Sequence, residues 1–153
     1  TMPYTFNWNN GATTQNIASL AAGNYSLTFS DANNCSLTQL FTITEPPSLV
    51  ASLVRSIDVS CAAASDGLAE INVSGGIQPY RFLWSNGVTS QNLINVSGNN
   101  YSVTITDANN CSATVIATIN EPAALTVSAA FTAPACNGAT NGSVTTTISG
   151  GNM

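Results

Sequence analysis

The sequence has no histidine and no lysine, and its only basic side chains are Arg55 and Arg81. Without a cluster of positive charge it has no means of neutralising a phosphate backbone, and the net charge of -5 repels one, so a nucleic-acid partner is excluded. Serine and threonine are abundant, but no imidazole or amine is present to activate them. The carboxylates Asp31, Glu45, Asp58, Asp66, Glu70, Asp107 and Glu121 form no pair outside the repeats described below. No catalytic residue is therefore assigned, and an enzyme is not expected. The missing lysine also removes Lys-Asn isopeptide cross-links. No apolar run approaches the ~18 residues of a membrane span, and apolar residues do not recur at helical spacing over a useful length. Cysteines occur neither in Cys-x-x-Cys pairs nor beside histidine, which excludes ordinary zinc sites. Charged residues make up only 6% of the chain, yet 44% is hydrophobic, enough to support a folded core.

What is present is repetition. Residues 3–46 recur at 79–122 with a constant offset and no gap, and 24 of the 44 aligned positions are identical. Substitutions such as Leu27 for Val103 and Phe29 for Ile105 stay within a class. Cys61, Asp66-Gly67 and Val73-Ser74-Gly75-Gly76 return 75 residues later as Cys136, Asn141-Gly142 and Ile148-Ser149-Gly150-Gly151. A fixed period of this kind points to a structural unit used for length, spacing or multivalency. Both ends fall at one point of the period, so the chain is expected to be a window on a longer polypeptide. With linkers at Glu45-Pro46-Pro47 and Glu121-Pro122, residues 48–122 form one complete repeat. Residues 1–47 are then the closing part of one repeat, and 123–153 the opening part of another.

Alternation of period two dominates each unit. Tyr101, Val103 and Ile105 face one side and Ser102, Thr104 and Thr106 the other, with Tyr25, Leu27 and Phe29 as the copy. The next residues, Asp-Ala-Asn-Asn at 31–34 and 107–110, have turn chemistry, and the return strand puts Ala113, Val115, Ala117 and Ile119 on one face. Tyr80, Phe82 and Trp84 alternate before a Ser-Asn-Gly turn, as do Tyr4, Phe6 and Trp8. Ala69, Ile71 and Val73 mark a further strand, and Leu49 to Val59 reads as extended. The pattern predicts an all-β chain of tandem immunoglobulin-like, fibronectin III-like β-sandwich repeats of about 76 residues, six or seven strands each. Trp8 and Trp84 fit the buried tryptophan of such a sandwich. Tyr25 and Tyr101 fit either its tyrosine corner or a plain core position.

The cysteines Cys35, Cys61, Cys111 and Cys136 occupy repeat positions and are disulfide candidates, which implies an oxidising compartment. A bond from Cys61 to Cys111 closes a loop of about 50 residues and adds on the order of 4 kcal/mol. In a sandwich of ordinary topology those two turns lie at opposite ends, and each cysteine would then reach an adjacent repeat or a neighbouring chain. Asp31 and Asp107 are weak candidates for calcium, because no bidentate glutamate stands at the required spacing. A hairpin turn held by Asp and Asn side chains is the competing reading, and no cofactor is assigned.

The strings Pro79-Tyr80, Trp84-Ser85-Asn86-Gly87, Asp107-Ala-Asn-Asn-Cys111 and Glu121-Pro122, with Cys61, Asp66-Gly67 and Ser74-Gly75-Gly76 upstream, resemble the SprB-type repeat of very large surface adhesins in gliding Bacteroidetes. The resemblance covers nearly the whole chain and implies export to the cell surface by the type IX system, with a role in adhesion, filament formation or gliding. Neither end part can bury its sheet alone, so the partners expected are neighbouring repeats of the same chain or head-to-tail copies, residues 123–153 of one chain completing 1–47 of the next by strand addition, together with polysaccharide or solid surfaces. Two other roles fit the same residues. One is a glycan-binding module using Tyr80 and Trp84, and the other a spacer within a secreted multidomain enzyme.

Overall fold

The computed structural model describes residues 1–151, and among these it contains eleven strands and no helix. In chain order the strands are β1 (Thr5–Trp8), β2 (Gly23–Ser30), β3 (Ser36–Ile43), β4 (Val50–Ile57), β5 (Gly67–Ser74), β6 (Arg81–Trp84), β7 (Leu93–Val96), β8 (Asn99–Thr106), β9 (Ser112–Ile119), β10 (Thr126–Thr132) and β11 (Ser143–Ser149). Two units are distinguished, Thr1–Pro47 and Ser48 onward.

Within the second unit, six strands build two antiparallel sheets, β4-β5-β7 and β6-β8-β9. In immunoglobulin terms these are strands A-B-E facing C-F-G, so the expected all-β sandwich is what forms. Period-two alternation supplies each sheet with one apolar face. Ala69, Ile71 and Leu93 of the first sheet are buried together with Trp84, Val103, Ile105, Ala117 and Ile119 of the second. Trp84, 1% exposed, is among the largest side chains in this core, and its indole N–H donates to the Ser90 carbonyl at 2.9 Å. That bond matters because a buried N–H without a partner would cost about 1–3 kcal/mol and offset much of what the ring's burial contributes.

Two side chains between β6 and β7 also tie the sheets to one strand. Gln91 Nε2 donates to the Ile71 carbonyl at 2.9 Å, and the Ile71 amide donates to Asn92 Oδ1 at 3.3 Å. Strand β7 itself is not visible in the sequence pattern. Its buried residues, Leu93 and Val96, are three apart instead of two, because Asn95 adopts a left-handed conformation with φ 56°. The register of β5 against β7 shifts at Gly67 in the same place. A Cβ on Gly67 would lie 2.6 Å from Ile119 Cγ2 and 2.8 Å from the Val96 carbonyl oxygen, so only glycine fits.

After this sandwich the chain forms a separate two-stranded hairpin, β10-β11. Its relation to β4-β5 explains the change of repeat offset from 76 to 75 residues. The β4-β5 register shifts between Leu53 and Arg55, leaving Val54 as an extra bulged residue, whereas β10 pairs with β11 without interruption.

The first unit is a single sheet, β1-β2-β3, in the register of β6-β8-β9. Trp8 donates its indole N–H to the Thr14 carbonyl at 2.9 Å, as Trp84 does to Ser90, and its ring packs against Phe41 at 5.7 Å between centroids.

Replacing Trp84 with alanine is expected to cost about 3–5 kcal/mol in urea unfolding. Gly67→Ala is expected to cost about 1–3 kcal/mol through overpacking against Ile119.

Candidate functional site at the poles of the repeat

The distinctive chemistry of the complete repeat lies at its two ends. At the first pole the chain comes in. Leu49, Gly76 and Asp107 meet here, since a Cβ on Gly76 would stand 3.1 Å from Leu49 Cδ1 and 2.9 Å from Asp107 Oδ2. Asp107 is buried, and three backbone amides surround its carboxylate. Oδ2 accepts from Ile77 at 3.0 Å, and Oδ1 accepts from Asn109 at 2.8 Å and Cys111 at 2.9 Å. The Ile77 amide first, then those of Cys111 and Asn109, hold its carboxyl below the usual aspartate range against the opposing effect of burial. Asp31 repeats this turn, accepting from Asn33 and Cys35 at 2.9 Å each. The oxygens that calcium would use are thus engaged by backbone N–H groups. No group of three His, Cys, Asp or Glu residues able to hold a metal ion occurs among the described residues.

At the second pole the chain leaves. The Val59 amide donates to the Asn120 carbonyl at 3.1 Å, and the Asn120 amide donates to Asp58 Oδ1 at 2.8 Å. Asp66 Oδ1 accepts from the Ser60 amide at 3.0 Å, and Glu121 Oε1 from the Ala63 amide at 2.6 Å. Hydrogen bonds from Asn120 lower the pKa of Asp58, and those from Ser60 lower that of Asp66. At the second copy of this turn Asn141 replaces Asp66 and accepts from Ala135 at the same distance, 3.0 Å. Tyr101 closes the pole by donating its hydroxyl to the Ser97 carbonyl at 3.0 Å, and Tyr25 does the same to Ala21 at 2.9 Å. Both are tyrosine corners.

The cysteines belong to different poles. Cys61 sits beside Asp58 and Glu121, whereas Cys111 opens β9 at the far end. The expected Cys61–Cys111 disulfide is therefore corrected: all four cysteines are exposed and unbonded. The length of β9 separates the two positions, eight residues and hence about 25 Å, against the ~6 Å between Cα atoms that a disulfide spans. The aromatic residues considered for glycan contact are also divided. Trp84 is enclosed in the core, while Tyr80 lies at the first pole with its hydroxyl bonded to the Gly75 carbonyl. The opposite ends expected of the two cysteine turns in a sandwich of ordinary topology are where strand direction puts them.

Residues 56–89 match the family model of the SprB repeat. The matched stretch runs from the end of β4 through β5 and β6, and there the resemblance read from the sequence holds. No curated protein matches the chain. Among solved structures, that of the amphioxus IgVJ-C2 molecule is 12% identical, with 76% of this chain and 88% of that chain covered, at a TM-score of 0.33. At that score the likeness adds nothing to the topology above. The family match and the sandwich define a repeat module of the kind found in surface proteins, and modules of this kind are non-catalytic.

Because the folded pKa of Asp107 is depressed, its stabilisation is complete above the ordinary aspartate value of about 3.9 and is lost as pH falls through the lower folded value. Asp58 and Asp66 shift in the same direction. Melting temperature should therefore hold down to about pH 4 and fall on further acidification. Asp107→Asn should lower it at neutral pH and flatten part of the acid limb. Tyr101→Phe should cost about 1 kcal/mol with no change in pH profile.

Proposed function

We propose that the chain is a segment of a long extracellular filament, structural and adhesive in role, that serves surface attachment or gliding. Residues 1–47, 48–122 and 123–153 are parts of three successive repeats in this reading, joined by the Glu-Pro linkers. One observation carries it. The complete repeat admits the chain at Leu49, beside Gly76 and Asp107, and releases it at Asn120, beside Asp58 and Val59. These points are separated by the eight residues of β4, about 25 Å, so each complete repeat carries the chain from one pole to the other.

The surface chemistry suits an exposed stalk. Outward positions include Thr104, Thr114 and Thr118 beside exposed Leu83 and Ile116, and the Arg55–Glu70 pair, at 2.9 Å, is partly solvent-exposed and adds little stability. Many weak contacts along such an array give avidity without a strong single site. The resemblance to surface adhesins supports export by the type IX system and points to polysaccharide or solid surfaces as what the filament touches. A platform of Tyr80 and Trp84 for sugar is disfavoured, since Trp84 has no face left to stack on.

Concatenated copies of the chain test both halves of the proposal. Their maximum dimension in small-angle scattering is expected to grow by about 30–45 Å per repeat, and a compact particle would overturn the filament. Retention on agarose and on glass is expected to rise steeply with copy number. No retention at any number would remove the adhesive role and leave a spacer, such as one beside a catalytic domain.

A further inference from the structure

Strand β6 forms one edge of the sheet β6-β8-β9, and an open groove lies along its outer side. Trp84, Val103 and Ile105 turn into the core, so period two sends Arg81 and Leu83 outward, paired with Thr106 and Thr104. These four side chains line a groove of about 640 Å³ together with Tyr80, Phe82 and Thr89, all within the complete repeat. Leu83 is 57% exposed, an apolar side chain held in water beside a cation. The Tyr80 hydroxyl is bonded to the Gly75 carbonyl, which fixes its ring. The hydroxyls of Thr89, Thr104 and Thr106 have no hydrogen-bond partner among the described residues. Thr28, the counterpart of Thr104, is instead tied to Thr38 at 2.8 Å.

Arg81 selects the ligand. The chain has seven carboxylates against two guanidinium groups. Among the described residues the ion pairs are Thr1 with Asp31 and Arg55 with Glu70, and Arg81 belongs to neither. Asp58, Asp66, Asp107 and Glu121 are engaged by backbone amides. A solvated guanidinium is ordinary by itself. Here it stands on the same face as an exposed leucine, about 7 Å away along the strand, with unbonded hydroxyls on the neighbouring strand.

We propose that this groove binds a uronic acid unit of an anionic polysaccharide. The planar fork of Arg81 takes the carboxylate, Leu83 covers the apolar C–H face of the pyranose, and Thr89, Thr104 and Thr106 bond the ring hydroxyls. A uronate carboxylate is attached directly to a ring carbon, so its charge and its C–H face keep a fixed separation, as Arg81 and Leu83 do on a strand. A sulfate ester swings on its bridging oxygen and lacks that constraint. The net charge of -5 opposes an anionic polymer, but exposed charges are screened beyond about 8 Å at physiological ionic strength, so the local guanidinium decides. One exposed charge pair is weak, and the contact gains strength by repetition.

The first unit shows which positions matter. Thr5 and Asn7 stand there in place of Arg81 and Leu83, while Thr28 and Ser30 keep the hydroxyls of Thr104 and Thr106. Repeats thus share a hydroxyl-bearing sheet face and differ at the two positions that meet charge and apolar surface, so ligand choice is set repeat by repeat. The site rests on the adhesive reading above and names one contact for it.

Titration of the isotope-labelled chain with trigalacturonate, followed by NMR, tests the groove. Amide shifts at Leu83, Thr104 and Thr106 are expected, with none from maltotriose at equal concentration. No shift at these residues, or equal shifts with the neutral sugar, overturns the proposal. A sulfated galactan trisaccharide that binds as tightly as trigalacturonate overturns the assignment to a carboxylate. Arg81→Gln and Leu83→Asn alter exposed edge positions, and unshifted core resonances report that the fold is kept. Arg81→Gln is expected to weaken binding at least about fivefold and Leu83→Asn about threefold. Arg55→Gln removes the same charge from a paired position and should leave binding unchanged; an equal loss there marks unspecific attraction and overturns the site. The two readings fail separately. Retention of concatenated copies on agarose without a response to trigalacturonate overturns this groove alone, whereas a response without retention on agarose or glass supports the groove and counts against those surfaces.

Discussion

A pleated sheet with apolar side chains on one face is stable in water only when a second such face covers it, and every other feature of this repeat follows from meeting that need with few residues. A unit of this size buries only about 60% of the surface its unfolded chain exposes, so little area is spared. Tryptophan and branched side chains fill the centre, and alanine is used at Ala69 and Ala117 where the sheets come close. Strand direction then fixes the two poles, and the poles fix where the chain enters and leaves.

The polar residues serve the same end by a different route. With so few charges, the chain places its aspartates where backbone amides would otherwise lack partners. Asp107 serves Ile77, Asn109 and Cys111, Asp66 serves Ser60, and Asp58 serves Asn120. Asn141 can replace Asp66 at the second copy of its turn because the bond there requires an oxygen acceptor and not a charge. This accounts for the carboxylates at turn positions as acceptors for backbone amides.

Most of the sandwich was legible in the sequence because alternation reports directly which face of a strand is buried. Tyr101, Val103 and Ile105 fixed β8, and Ala69, Ile71 and Val73 fixed β5. Strand β7 was not legible, since the left-handed Asn95 breaks the alternation between Leu93 and Val96. The pairing of Cys61 with Cys111 failed for a related reason. Loop length alone allows the two positions to join, whereas the sandwich topology expected from the same sequence already sets those turns at opposite ends, and the eight residues of β9 separate them. The roles of Gln91 and Asn92 were equally hidden, because their partner Ile71 is about twenty residues away in sequence, on the strand β5 that pairs with β7.

The bulge at Val54 bears on how such arrays diverge. In an uninterrupted strand, one inserted residue would turn every later side chain to the wrong face. Here the surplus residue is pushed out between Leu53 and Arg55, and the pairing resumes in phase beyond it. Gene segments encoding neighbouring copies can therefore gain or lose single codons at this point without loss of folding, so unequal lengths along the array are compatible with uniform units.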